Sequence, residues 1–337
     1  MKNILYIGNK LAQKGRTATT IDTLGPLLEG EGFKVKYASS KSNPVIRLLH
    51  MLLKLITQLQ WVDLVLIDTY STRNFWYAVL VGWICRLTGK RYVPILHGGN
   101  LPQRLESTPH QTHKFLKGAW KVVCPSAYLK DAFAKAGYAE IKVIPNSIDL
   151  SQYNFKSRDT LHPKLIWVRS FAQIYHPQMA IEVYAEVRKL YPNASLIMVG
   201  PDKDGSMEEC GKLAKELGIP VQFTGLLTRK EWLSLAANCD IFLNTTKFDN
   251  LPVSLIEAMA LGLPVISTDV GGIPYLIKDE YNGLLVGKDN VAEMVQAVIR
   301  LLENPEWVSS LSNNALNSIK QYSWTQVREQ WQLLLAG

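Results

Sequence analysis

Along the chain, short apolar runs bounded by glycine, proline or asparagine alternate with longer segments whose apolar positions recur at helical spacing. In the first half the runs fall at residues 4–7, 35–38, 64–67, 92–95, 121–124 and 141–144. In the second half they fall at 165–168, 195–199, 221–223, 241–244, 264–267 and 284–286. Such an alternation predicts parallel sheets wrapped by helices, here two doubly wound, Rossmann-like α/β domains facing one another across a cleft. The pattern lapses in "IPNSIDLSQYNFKSRDTLHP", where turn-forming polar residues and Pro163 gather before "KLIWVRS" resumes it. The boundary is placed near Tyr153, with domains over 1–152 and 153–322. The last stretch, 323–337, opens with a Ser cap and carries an apolar stripe, so a helix crossing back onto the first domain is expected.

Composition supports two sizeable cores, since 47% of the 337 residues are apolar. Four cysteines, Cys85, Cys124, Cys210 and Cys239, are scattered without a C-x-x-C pair, which points away from disulfides and zinc and toward a reducing cytoplasm. The opening "MKNILYIGNK" has an apolar run suited to a strand and too short for a signal-peptide core. The longest uncharged apolar run, 75–85, falls well short of the roughly 20 residues that cross a bilayer.

Charge changes the picture more. The net charge is +8, but residues 1–150 hold 20 Lys and Arg against 9 Asp and Glu, a balance of +11, while 151–337 hold 17 against 20, a balance of −3. A basic first half attracts nucleic acid, an anionic bilayer or a phosphorylated substrate. Without interleaved aromatics or a recognisable nucleic-acid module, no nucleic-acid partner is expected. Within that half, "NPVIRLLHMLLKLITQL" has polar residues at 47, 50, 54, 57 and 58, putting Arg47 and Lys54 on one helical face. That face is predicted to be exposed, either simply solvated or docking on anionic lipid at the inner surface of a membrane.

Chemistry is sought where strands end, because helix N-termini there present free N–H groups and a positive dipole end. The segment "FDNLPVSLIEAMALGLPVIST", residues 248–268, follows a strand ending at Asn244 and leads into a helix from Val253. Asp249 and the amides of Val253 and Ser254 then lie at the helix N-terminus, and Glu257 one turn further in. Amides there hold a diphosphate, and flanking carboxylates accept hydrogen bonds from sugar hydroxyls. The same spacing also suits an Asp249 that only complements the helix dipole and a solvated Glu257.

These residues carry a resemblance. "DNLPVSLIEAMALGLPVIS", continued through "VGGIPYLIKDEYNGLLV" and preceded by "VIPNSID", is similar to the motif of the family 4 retaining glycosyltransferases of GT-B fold. The likeness covers essentially the whole chain and is strongest over 141–286. It implies that Glu257 binds the ribose hydroxyls of a nucleotide and that Asp249, where the family has Glu, contacts the donor sugar. Asn250, Leu251, Val253 and Ser254 fall in the same donor-binding stretch. Arg169, after the first strand of the second domain, matches the arginine that neutralises the leaving diphosphate, a role needing a permanent cation.

One departure stands out. Five residues after that arginine the family carries Lys, and this chain has Ile174, followed by Tyr175 and His176. Tyr175 or His176 as hydrogen-bond donor, Lys247, and the N-terminal loop are the candidates to supply the missing stabilisation. In that loop, "NKLAQKGRTATT", Gly15 and Thr17 would let backbone approach a phosphate or the transferred sugar, with a helix beginning near Thr17. His97 in "ILHGGNLP" matches the family's cleft histidine near the donor sugar, although a lone histidine after a strand is also a common structural residue. Leu226 lies in the loop that the family brings to the base. "GPDKDG" at 200–205 resembles the D-x-D metal site of the other major glycosyltransferase fold, but its Gly-bounded setting reads as a turn, and no essential metal is expected.

The resemblance thus implies transfer, with retention, of a sugar from a UDP- or GDP-sugar substrate, with no cofactor, to a glycan or lipid-linked hydroxyl in cell-surface glycan synthesis. A nucleotide-sugar epimerase of the same fold and a non-catalytic nucleotide-sugar or glycan-binding protein are the alternatives.

Overall fold

The computed structural model describes residues 2–12, 19–98, 100–158 and 160–337. Gly15 and Thr17 lie outside the described residues. Two compact units are present: 1–147 together with 327–337, and 148–326.

The first unit is built on β1 (Asn3–Ile7), β2 (Lys34–Ala38), β3 (Leu64–Thr69), β4 (Arg91–Leu96), β5 (Val122–Cys124) and β6 (Ile141–Val143). Their spatial order is β2-β1-β3-β4-β5-β6, parallel throughout. Chain order therefore reverses between β1 and β3. The strands are connected by α1 (Thr20–Gly30), α2 (Pro44–Thr57), α3 (Phe75–Leu87), α4 (Leu101–Ser107), α5 (Pro109–Lys117) and α6 (Ala127–Lys135). β3 is buried along its whole length, as a continuous apolar strand covered on both faces must be. Its Val65 and Ile67 pack with Met51 and Leu55 of α2 and Val81 of α3 in one core.

The second unit repeats the plan with β7 (Lys164–Val168), β8 (Ser195–Val199), β9 (Gln222–Gly225), β10 (Ile241–Asn244), β11 (Val265–Thr268) and β12 (Leu284–Val286). Their order is β12-β11-β10-β7-β8-β9, again parallel, with the reversal between β7 and β10. Its helices are α7 (Pro177–Leu190), α8 (Ser206–Glu216), α9 (Arg229–Ala236), α10 (Val253–Ala260), α11 (Val291–Glu303) and α12 (Pro305–Ile319). Trp167, fully buried in β7, packs tilted against Phe171 with ring centroids 5.0 Å apart and donates its indole N–H to Thr245 Oγ1 at 3.0 Å. That bond links β7 to the segment following β10, the two strands at the reversal.

The closing helix α13 (Trp324–Ala336) begins in the second unit, and its residues from Val327 onward belong to the first. There Ala336 O accepts from Lys2 Nζ, and Gly337 O from Arg91. All twelve apolar runs of the sequence are strands. The four cysteines are free and buried.

One expectation is overturned. The polar face of α2 is not its exposed face: Arg47 is only 7% exposed and donates to the carbonyls of Lys41 and Ser42, while His50 Nδ1 meets Ser39 Oγ at 2.8 Å. Val45, Ile46, Leu49, Leu53 and Ile56 stand in solvent instead. Periodicity marks a polar arc, but these polar groups find partners in the loop before the helix and are drawn inward. The helix over the N-terminal loop also starts later than anticipated, at Thr20, where Thr19 and Asp22 form a capping box. Among the described residues no helix is long and apolar enough to cross a membrane.

Candidate functional site

In an open parallel sheet the reversal of strand order leaves a crevice at the carboxyl ends of the two strands beside it. In the second unit those ends belong to β7 and β10, and the two catalytic candidates there meet. Arg169 directly follows β7, its N–H extending the ladder to Val199 O at 3.0 Å. Asp249 sits in the loop between β10 and α10. The guanidinium of Arg169 pairs with Asp249 Oδ2, both side chains being largely buried. Asp249 Oδ1 accepts the Asn250 N–H at 2.8 Å.

Glycines make this placement sterically possible. A Cβ on Gly200 would lie 1.8 Å from Arg169 O, so only glycine lets β8's exit pass under Arg169. On the other side, Gly272 donates to Asp249 O at 2.9 Å, and a Cβ on Gly272 would fall 1.9 Å from Asn250 O. Gly271 adopts φ +57°, with Asp249 O where its Cβ would be. The "VGG" of the sequence is therefore the bed on which the Asp249 loop lies.

The Arg169 guanidinium stacks 4.5 Å over the Tyr175 ring. Burial lowers the Arg169 pKa, and Tyr175 opposes that shift. Tyr175 belongs to a short turn whose carbonyls are tied to the β10 exit. Thr245 Oγ1 reaches Tyr175 O at 2.9 Å, and Lys247 N–H reaches Ile174 O at 2.8 Å. The Ile174 side chain, where the family has Lys, is half-exposed. Lys247 Nζ stands 3.8 Å from Asp289 Oδ1, which also lies 2.8 Å from His176 Nδ1. Burial first, and Lys247 second, lower the pKa of His176.

Pro252 precedes α10 and provides no side-chain cap, so the amides of Val253 and Ser254 lack the usual capping oxygen. Asn250 and Leu251 are buried in the loop before it. Four polar atoms here are buried without hydrogen-bond partners among the described residues, Arg169 Nε, His176 Nδ1, Asp249 Oδ2 and Ser254 Oγ; His176 Nδ1 and Asp249 Oδ2 stand in ion pairs, and Arg169 Nε and Ser254 Oγ have neither. Buried donors are almost always satisfied in folded proteins, so two orphans in the segments flanking one strand-order reversal are a mark of a ligand site.

One turn into α10, Glu257 is held by residues that sequence reasoning missed. Its Oε1 accepts the Tyr153 hydroxyl at 2.6 Å and lies 3.5 Å from Arg229, which itself donates to the Tyr153 hydroxyl and lies 4.9 Å from that ring. Burial raises the Glu257 pKa, while Tyr153 and Arg229 pull it back. Tyr153 entered only as a boundary marker. Arg229 had a signal: it is the first residue of α9, inside the Thr228–Glu231 capping box, and a cation there opposes the helix dipole. Leu226 is exposed in the loop between β9 and α9.

In the first unit His97 follows β4. Its Nε2 lies 2.8 Å from Asp68 Oδ1 and its Nδ1 3.3 Å from Thr20 Oγ1. Asp68, fully buried at the end of β3, also accepts from Tyr6 at 2.9 Å. Burial, reinforced by Asp68, raises the Tyr6 pKa. A Cβ on Gly8 would come within 2.4 Å of Asp68 Oδ2, so β1's exit closes directly on this carboxylate. An acid ending an otherwise apolar buried strand, "LVLIDT", was the available signal for Asp68.

Asp202 and Asp204 of "GPDKDG" cap and brace. Asp202 accepts from Gly205 N–H, and Asp204 from Ser206 and from Gln173 N–H at 2.9 Å. Among the described residues no group of three or more His, Cys, Asp and Glu is placed to hold a metal.

Two family models match: Glycosyltransferase Family 4 over residues 6–152 and Glycosyl transferases group 1 over 154–318. Among curated relatives, the alpha-monoglucosyldiacylglycerol synthase of Acholeplasma laidlawii is 25% identical over 63% of this chain and 56% of its own. This chain spans about half the length of such relatives, from 44% to 56%. Among solved structures, Anabaena Alr3699/HepE in complex with UDP has a TM-score of 0.79 at 19% identity, covering 100% of both chains. Sucrose-phosphate synthase from Thermosynechococcus elongatus has 0.82 at 17%, covering 100% of this chain and 98% of its own.

Two outcomes follow from the geometry. Gly272→Ala is expected to lower stability by about 1–3 kcal/mol, as overpacking does, because the new methyl meets backbone that cannot yield; thermal unfolding checks this, and an unchanged melting temperature contradicts it. For Glu257, a carboxyl whose folded pKa lies above its ordinary 4.5 binds its proton more readily folded than unfolded, so it costs stability as pH rises through that interval. Glu257→Gln is therefore expected to be more stable than the parent at neutral pH, with the gain fading as pH falls below the ordinary carboxyl range. Urea unfolding at neutral and acid pH reads the sign.

Proposed function

The chain belongs to the glycosyltransferases of family 4 and group 1, with the GT-B fold, and from that premise we propose that it moves a sugar from a nucleoside diphosphate sugar to a hydroxyl of a glycan or lipid-linked acceptor, with retention at the anomeric carbon. The observation that carries this reading is the largely buried Arg169 at the strand-order reversal, paired with Asp249 and keeping an unpartnered Nε. A cation so placed is a diphosphate ligand in waiting. The UDP held by Alr3699/HepE is consistent with a nucleoside diphosphate here.

Each residue then has a task. Glu257, oriented by Tyr153 and Arg229, accepts the ribose hydroxyls. The first amides of α10 and the Ser254 hydroxyl take diphosphate oxygens, and Arg169 turns from Asp249 to the same group. The bond between the anomeric carbon and the diphosphate oxygen breaks with its electron pair on oxygen, and Arg169 stabilises that charge. The acceptor oxygen forms its bond on the same face, and its proton passes to the leaving diphosphate. Tyr175 lies against the guanidinium, and Lys247 contributes the second cation that Ile174 does not. Asp249, released, is assigned to the sugar hydroxyls, and His97, its ring oriented by Asp68, keeps its sequence-based assignment. Gly15, Thr17 and Leu226 keep their sequence-based assignment to the donor.

The test is release of nucleoside diphosphate from UDP- and GDP-sugars. Release that requires an added hydroxyl acceptor and continues in EDTA is expected. Turnover without acceptor would favour an epimerase, no turnover a binding protein, and loss in EDTA restored by magnesium would contradict a phosphate site built from cations and amides.

The two acids should also separate. Glu257→Ala is expected to weaken free nucleotide binding by about 1.5–3 kcal/mol, the loss of a charged hydrogen-bond pair. Asp249→Ala should leave nucleotide affinity nearly unchanged while lowering turnover, because its substrate partner is the sugar. Equal loss of nucleotide binding in both variants would contradict the assignment of Asp249.

A further inference from the structure

Two neighbouring helices of the first unit carry apolar stripes on the wrong side. On α2 the exposed residues Val45, Ile46, Leu49, Leu53 and Ile56 fall within one helical arc, opposite the buried Met51 and Leu55. On α3, Trp76, Leu80, Trp83 and Leu87 recur at helical spacing and are also exposed, opposite Ala78, Val81 and Cys85. These nine side chains are between 38% and 67% exposed. The two helices pack against one another, so the stripes lie side by side on the layer covering one sheet. Single exposed apolar residues are ordinary, but two adjacent stripes with two tryptophans are not.

Charge identifies the occupant. Residues 32–62 and 69–105, which contain both helices, hold ten Lys and Arg and no Asp or Glu. Lys41 and Arg73, just ahead of the two helices, are exposed, as is Arg86 near the end of α3, which also donates to Lys114 O. An isologous contact between two copies of the chain would set this cationic surface against itself. An anionic bilayer complements it: apolar side chains enter the acyl boundary, tryptophans sit at headgroup level, and the cations meet lipid phosphates.

We infer that the apolar faces of α2 and α3 form a membrane-docking surface that inserts into the interfacial layer of an anionic bilayer. It is a different surface from the polar arc of α2, since Arg47 is turned inward, and a different mode, since insertion rather than surface charge alone holds it. The inference goes beyond the transferase reading and is independent of it, because it concerns binding without nucleotide.

Sedimentation with vesicles of phosphatidylcholine, alone or mixed with phosphatidylglycerol, tests it on the full chain. The parent is expected to bind the mixed vesicles, and to retain part of that binding in high salt. Leu49→Glu/Leu53→Glu on α2 and Trp83→Ser/Leu87→Ser on α3 should each weaken it by about tenfold or more while leaving the melting temperature unchanged. Because the pairs lie on different helices, either alone decides should the other fail to fold. Absence of binding by the parent, or parent-like binding by a folded variant, overturns the proposal. So does a parent that is dimeric by light scattering and made monomeric by the same substitutions, which would assign the surface to a second copy.

Discussion

A guanidinium at the carboxyl end of a buried strand is stable only with a counter-charge close by, and the Arg169–Asp249 pair meets that condition where β7 and β10 part. Much of the surrounding structure exists to keep the two in register. Gly200 lets β8 pass beneath Arg169, Gly271 and Gly272 let the Asp249 loop lie flat, and Trp167 ties the β7 core to Thr245. Tyr175 closes over the cation from a turn whose carbonyls are bonded to the β10 exit. In the proposed reading, a pair assembled this way is a place reserved for an anion. A diphosphate brings more charge than a carboxylate and a better match to a planar fork of donors, so exchange of partner at Arg169 requires no rebuilding of the site.

The same economy is visible at Glu257. Burial raises its pKa, and Tyr153 and Arg229 oppose that shift. Both contacts fall on Oε1. In the first unit, Asp68 holds His97 at Nε2 and Thr20 meets its Nδ1, which together fix the imidazole ring.

How much of this was legible depended on the range of the interaction. The twelve strands were readable because parallel strands covered on both faces are continuous apolar runs, and continuity is a local property. The Asp249–Glu257 segment was readable because its chemistry lies within one loop and one helix. Tyr153 and Arg229 were not, since they are 104 and 28 residues from Glu257 in the chain and meet it only through the fold. The orientation of α2 failed for a related reason. Its apolar positions occupy two arcs, the sheet takes one of them, and Arg47 is satisfied by carbonyls outside the helix that no periodicity records.

The central claim is that the second unit's strand-order reversal is a nucleoside diphosphate site centred on Arg169. Titration calorimetry of the parent and of Arg169→Ala with UDP and GDP tests it most directly. The account predicts one-to-one binding of one of the two nucleotides by the parent, with Kd on the order of 10 μM, and a loss of at least about tenfold in the variant. Binding of neither nucleotide by the parent, or equal affinity in a folded Arg169→Ala, would contradict it.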